Sequence, residues 1–202
     1  PEEADIIEEP VFSENLIISE PKNLAYLHGE VLIRGTAKGS DFVSYRILLG
    51  KGLNPQTWRQ YGSEVTSEVV DSLLWRWDTT KLEDGLYALQ IVALFDEQRI
   101  KRATILVSVD NTPPEVDFPN MNNGQIIEFL PGEQYIFEVQ AEDNLALDIV
   151  TFYLDGKTIT RQIAPPFVYA WDMKPGIFTL RVVAKDKAGN STEKEITFSV
   201  EE

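Results

Sequence analysis

The chain has 202 residues, 43% of them apolar and 10% aromatic, which is the composition of a globular protein with enough material for one large or two ordinary domains. Its 33 acidic residues outnumber 18 lysines and arginines, and the resulting net charge of −15 repels nucleic-acid phosphates and anionic lipid, arguing against both as partners. Cysteine is absent, which excludes disulfides, a thiol nucleophile and thiolate metal sites, and no run reaches the roughly 18 apolar residues of a membrane-spanning helix.

Residues 1–10 place Glu2, Glu3, Asp5, Glu8 and Glu9 between two prolines. So charged a stretch buries too little surface to offset its ordering entropy, and it is expected to be the end of a linker. The start at Pro1, with no initiator Met or leader pattern, suggests a piece of a longer protein. From Val11 onward the pattern changes. Leu16-Ile17-Ile18, then Val31, Ile33 and Gly35, then Val43, Tyr45 and Ile47 form short apolar or alternating runs punctuated by Gly and Pro, the mark of strands. Residues 64–74 carry Val65, Thr66, Val69 and Val70, whose branched side chains favour pleated backbone over helix. Almost no helix is expected anywhere. Residues 85–95 and 103–109 alternate as two further strands that close a first domain, 11–110.

Residues 111–114 follow as a joint, in which Pro113-Pro114 removes two backbone donors and disfavours helix at Thr112. The second domain, 115–202, repeats the scheme with predicted strands at 135–141, 149–154, 167–172, 177–184 and 192–200, and with a hairpin turn at Asp155-Gly156. The repetition is visible in detail. Trp77-Asp78 is echoed by Trp171-Asp172, while Gly85, Leu89, Ile91, Ala93, Ile105, Val107 and Val109 pair at one offset with Gly176, Leu180, Val182, Ala184, Ile196, Phe198 and Val200. Two related domains with about seven short strands each predict an all-β fold of two tandem immunoglobulin-like (fibronectin III-like) β-sandwiches. Trp77 and Trp171 are the expected core anchors.

Catalytic chemistry finds little support. His28, the single histidine, stands beside Gly29 without a second base nearby and is expected to be a surface turn residue. Ser19-Glu20-Pro21-Lys22 has the Ser-x-x-Lys spacing of penicillin-recognising enzymes, but Pro21 denies the helix that brings Lys one turn from Ser. Ser13-Glu14-Asn15 precedes it in the wrong order and no Lys-Thr-Gly strand follows, so no catalytic residue is expected.

Two binding candidates remain. In a sandwich of this strand order the loops 142–148 and 186–190 lie at the end of the second domain that faces the joint, so Asp110, Asn111, Glu142, Asp143 and Asp186 are expected to offer oxygens to Ca²⁺. The alternative is that Asp and Asn stand there because turns favour them. The other candidate is the stretch 50–76, about twelve residues longer than its counterpart in the second domain. It carries Trp58 and Tyr61, whose flat rings suit stacking on a sugar; the alternative is that they pack beneath their own loop.

Several of these residues carry a resemblance to a known family. Gly35-Thr36-Ala37, Asp41-Phe42, Tyr45, Trp58, Trp77-Asp78-Thr79-Thr80, Asp84-Gly85-Leu86-Tyr87 and Val109-Asp110-Asn111-Thr112-Pro113-Pro114 resemble an Ig-like repeat of bacterial cell-surface proteins. The likeness is above all to the repeat appended to class A penicillin-binding proteins. Val150 to Gly156, Ala164-Pro165-Pro166-Phe167, Trp171-Asp172 and Ala184 to Asn190 are similar to another bacterial Ig-like module. The resemblance implies an extracytoplasmic, non-catalytic accessory region of a cell-envelope protein in peptidoglycan synthesis. Its partners would be cell-wall polysaccharide or an envelope protein, with the chain itself a monomer. It assigns no site residues.

Overall fold

The structure, a computed structural model, describes residues 14–96 and 99–202, so the predicted acidic linker end at 1–10 lies outside the described residues. The chain divides into two compact units, the first ending at Asn111 and the second running from Thr112 to Glu202.

The first unit contains β1 (Leu16–Glu20), β2 (Ala25–Leu27), β3 (Glu30–Ala37), β4 (Phe42–Lys51), β5 (Arg59–Val65), β6 (Val69–Asp78), β7 (Gly85–Phe95) and β8 (Arg99–Val109). They form a three-stranded sheet, β1-β3-β6, and a five-stranded sheet, β2-β8-β7-β4-β5. Strand alternation sends one residue in two to the interior. Tyr45, Ile47 and Leu49 of β4, Leu89 and Ile91 of β7, and Val107 and Val109 of β8 thus share one buried core with Leu16, Ile33 and Trp77 from the other sheet. Trp77 is completely buried.

The second unit contains β9 (Glu115–Asp117), β10 (Gln125–Glu128), β11 (Gln134–Glu142), β12 (Leu147–Leu154), β13 (Lys157–Gln162), β14 (Phe167–Asp172), β15 (Gly176–Asp186) and β16 (Ser191–Glu201). Its sheets are β14-β11-β9 and β10-β16-β15-β12-β13. Phe137, Val150, Phe152, Leu180, Val182 and Phe198 fill a second, separate core closed by Trp171, whose ring stacks on Phe137 at 5.6 Å. The Asp155-Gly156 turn joins β12 to β13 with both residues at positive φ, as a two-residue hairpin requires.

Both units are immunoglobulin-like β-sandwiches, and the repeat extends to a detail that the sequence conceals. In each, the first edge strand is split: β1 pairs antiparallel with β3 and β2 then pairs parallel with β8, while β9 pairs antiparallel with β11 and β10 parallel with β16. Among the described residues, the single helical element is a 3-10 turn at Thr79–Lys81, capped by the Asp78 side chain, which accepts from the Thr80 N–H.

Candidate functional site

The long stretch after β4 folds back as β5 and makes a cleft at the edge of the first unit. Leu49 pairs with Arg59 and Ile47 with Tyr61, so the loop 52–58 is drawn over the end of β4. Gly50 is required there, since a Cβ would collide with the Pro55 ring and crowd the Thr57 carbonyl oxygen at 3.2 Å. The cleft has a volume of about 210 Å³ and is lined by Leu49, Gly50, Lys51, Thr57, Trp58, Arg59, Tyr61, Leu82 and Tyr87.

The structure brings the two predicted aromatic residues to this one cleft and gives them different duties. Tyr61 is partly buried, with the Arg59 guanidinium over its ring at 5.2 Å and the Trp75 ring at 5.6 Å. Trp75 in turn stacks on Trp77 at 5.7 Å and 19°, so Tyr61 belongs to an aromatic ladder rooted in the core. Trp58 is 37% exposed. Ring contacts link Trp75, Trp77 and Trp171 to aromatic neighbours, whereas none is made by Trp58 among the described residues. Its indole therefore lines the cleft with about a third of its surface exposed and no aromatic ring against it. Sequence reading missed Arg59, although the period of two that places it on the face of Tyr61 was available.

The floor of the cleft is fixed by polar contacts. The Tyr87 hydroxyl donates to the Glu83 carbonyl oxygen at 2.8 Å, and the Lys51 ammonium donates to the Glu83 carboxylate. That hydrogen bond holds the Glu83 carboxyl below the usual carboxylate range and raises the Lys51 ammonium above its ordinary value. Burial raises the Tyr87 phenol. Lys51 is thus neutralised in place, while Arg59 makes no ion pair or side-chain hydrogen bond with the described residues.

The residues expected to hold calcium are placed as follows. Asp110 is fully buried and its backbone N–H donates to the Leu27 carbonyl oxygen at 2.9 Å. The Asn111 side-chain oxygen accepts from the Gly29 N–H at 3.1 Å, and its amide nitrogen donates to the Thr79 carbonyl oxygen at 3.0 Å, all within the first unit. In the second unit Asp143 accepts from the N–H groups of Leu145 and Ala146, and Asp186, 1% exposed, accepts from those of Gly189 and Asn190. These are the local turn contacts that Asp side chains make. A carboxylate oxygen of Asp143 and one of Asp186 lie within 4.8 Å of each other. Calcium takes about six to eight oxygens. Glu142 is exposed, accepts from the Gln140 side chain at 3.0 Å and stands opposite Glu115 across β11 and β9.

Glu142 and Glu115 also line a polar groove of about 390 Å³ with Asp117, Gln140 and Lys194. The Lys194 ammonium donates to Asp117, and this bond is the main reason the Asp117 carboxyl sits below its ordinary value. A carboxyl depressed in the folded state contributes stability that is present above its unfolded value and lost as pH falls through the folded one. In a carboxyl NMR titration, Lys194→Met is expected to move the Asp117 midpoint upward towards its ordinary value; an unchanged midpoint would contradict the pairing.

The remaining sequence candidates are placed as follows. His28 is exposed in the turn between β2 and β3. Lys22 donates to the backbone oxygen of Ser19, not to its hydroxyl, and no helix joins them. Ser13 lies outside the described residues.

Comparison with known proteins agrees with the fold. No protein-family model matches the sequence. Over 149 residues, 72% of this chain, it is 30% identical to the uncharacterized protein YvnB of Bacillus subtilis (strain 168), and the match spans 10% of that protein's length. Among solved structures, the titin I-band fragment I67–I69 superposes with a TM-score of 0.51 at 14% identity, covering 89% of this chain and 63% of the fragment. The fibronectin(III)-like modules of Clostridium thermocellum CbhA give a TM-score of 0.47 at 17% identity, with 91% and 93% coverage. The architecture is that of tandem Ig-like and fibronectin III-like domains.

Proposed function

We propose that this chain is a non-catalytic accessory region of a larger extracytoplasmic protein of the bacterial cell envelope, acting as a spacer and as a platform that contacts cell-wall polysaccharide. The observation that carries the contact is Trp58. An indole left without a ring partner beside a preformed cleft is what a stacking site for a sugar ring needs, because the flat apolar face covers one side of the pyranose while polar groups take its hydroxyls. The spacer role rests on the fold and on the two consecutive prolines that link the domains. Attachment to a penicillin-binding protein is the most specific form of this reading, and it is supported by the resemblance of residues 35–114 to the repeat appended to those enzymes.

Retention of the purified chain on insoluble cell-wall glycan tests the contact. Trp58→Ala is expected to abolish most of the retention while leaving the thermal midpoint within about 4 °C, since a partly exposed surface side chain contributes about 0.5 kcal/mol. Equal retention of both proteins would remove the Trp58 cleft from the function and leave a spacer alone.

A further inference from the structure

The chemistry of the cleft narrows its ligand, and this step rests on the reading of Trp58 as a sugar-stacking residue. In a chain of net charge −15, both charged residues lining the cleft are basic, Lys51 and Arg59. Lys51 is matched by Glu83, whose carboxylate takes its ammonium. Arg59 has no such partner: among the described residues its guanidinium is engaged only by the Tyr61 ring, 5.2 Å beneath it. A guanidinium held over a ring by its charge spends none of its in-plane N–H donors on that contact. A guanidinium that lines a cleft beside Trp58, with no carboxylate partner among the described residues, is matched to a carboxylate.

We propose that the cleft of the first unit binds an acidic sugar, with the pyranose ring on the Trp58 indole and the ring's carboxylate on the Arg59 guanidinium. Tyr61 positions Arg59, and Lys51, held by Glu83, adds no unpaired charge. The volume of about 210 Å³ is below the roughly 300–1,000 Å³ of sites that engulf drug-sized ligands, so the cleft admits a single residue of a glycan and leaves its neighbours in solvent. The charge on the ligand supplies selectivity against the neutral sugars that Trp58 alone would accept.

The test is a calorimetric or fluorescence titration of the full chain with trigalacturonate and with its methyl ester, which has the same rings without the charges. The free acid is expected to bind about tenfold more tightly than the ester, as one charge-assisted contact provides. Arg59→Gln should remove that preference by weakening the acid about tenfold while changing the ester less than about twofold. Trp58→Ala should weaken both ligands. Circular dichroism establishes that each variant is folded, and Arg59→Lys, which keeps the charge but loses the fork, should recover only part of the preference. Binding of acid and ester with equal affinity, both lost in Trp58→Ala and both indifferent to Arg59→Gln, would overturn the acidic-sugar assignment and leave the sugar-stacking reading standing. Binding of neither ligand, together with no effect of Trp58→Ala on retention by wall glycan, would overturn both.

Discussion

Trp77→Ala is expected to cost the first unit about 3–5 kcal/mol, the usual range for a large aromatic side chain removed from a packed core. Trp77 has no solvent exposure and its ring stacks on Trp75, so the cavity left behind is large and lined by neighbours that strands hold in place. A domain of this size has a total stability of about 5–15 kcal/mol, and the loss therefore brings the first unit close to its unfolding threshold. The second unit has a core of its own, built around Phe137, Phe152 and Phe198. Denaturant unfolding of the variant is expected to separate into two transitions, of which the later keeps the wild-type midpoint; a single transition shifted as a whole would contradict two separate cores. Trp77→Phe sharpens the expectation. The Trp77 Nε1–H finds no acceptor among the described residues, and a buried donor left unmatched costs about 1–3 kcal/mol. Phenylalanine gives up part of the volume but removes that donor, so its net cost is expected to be only about 1 kcal/mol.

Asn111→Ala is the second large effect. Asn111 ties the last strand of the first unit to two distant turns: its side-chain oxygen accepts from the Gly29 N–H, its amide nitrogen donates to the Thr79 carbonyl oxygen, and its own N–H donates to Asp84 at 2.7 Å. The buried Thr79 hydroxyl lies 2.9 Å from the Gly29 carbonyl oxygen and 3.1 Å from the Asn111 side-chain oxygen, with one proton for the two acceptors. Truncation breaks two side-chain bonds and strands a partly buried backbone N–H, a loss of about 2–3 kcal/mol in denaturant unfolding. Asn111→Asp is expected to be at least as damaging at neutral pH, because it turns a carboxylate oxygen towards the Thr79 carbonyl. It should recover in part below the carboxylate range, where the acid is protonated and donates instead. If Asn111 served chiefly as a calcium ligand, the loss on truncation would appear only with calcium present and would vanish under chelation.

The contrast between these two residues shows what could be read in the chain and what could not. Trp77 announced itself, because it recurs as Trp171 within a repeat whose apolar residues keep the period of two, and buried alternating strands are what that period encodes. Asn111 read as a calcium ligand or a turn residue, and neither reading contained its part in tying the first unit together. Its partners Gly29 and Thr79 stand 82 and 32 positions away, and no local pattern reports a hydrogen bond closed across such a distance. The short strands were concealed for a related reason. Ala25–Leu27 and Gln125–Glu128 are too short to display a period and exist because β8 and β16 offer them an unpaired edge. The polar β5, with Gln60, Gly62, Ser63 and Glu64, lacks the apolar alternation of a central strand because one of its edges is unpaired. At the cleft, composition marked Trp58 and Tyr61 alike as candidates. Only the packing assigns Tyr61 to the ladder that reaches Trp77 and leaves Trp58 outside it, partly exposed at the cleft.

That division of labour among aromatic residues is testable at single-residue resolution. In an NMR titration of the chain with soluble cell-wall glycan fragments, the amide shifts are expected to be confined to the strands and loop around the cleft, from Leu49 to Lys51 and from Thr57 to Tyr61 with Leu82 and Tyr87, together with the Trp58 indole N–H. Shifts centred on the second unit, or a Trp58 indole signal that stays fixed while binding saturates, would contradict the placement of the ligand site.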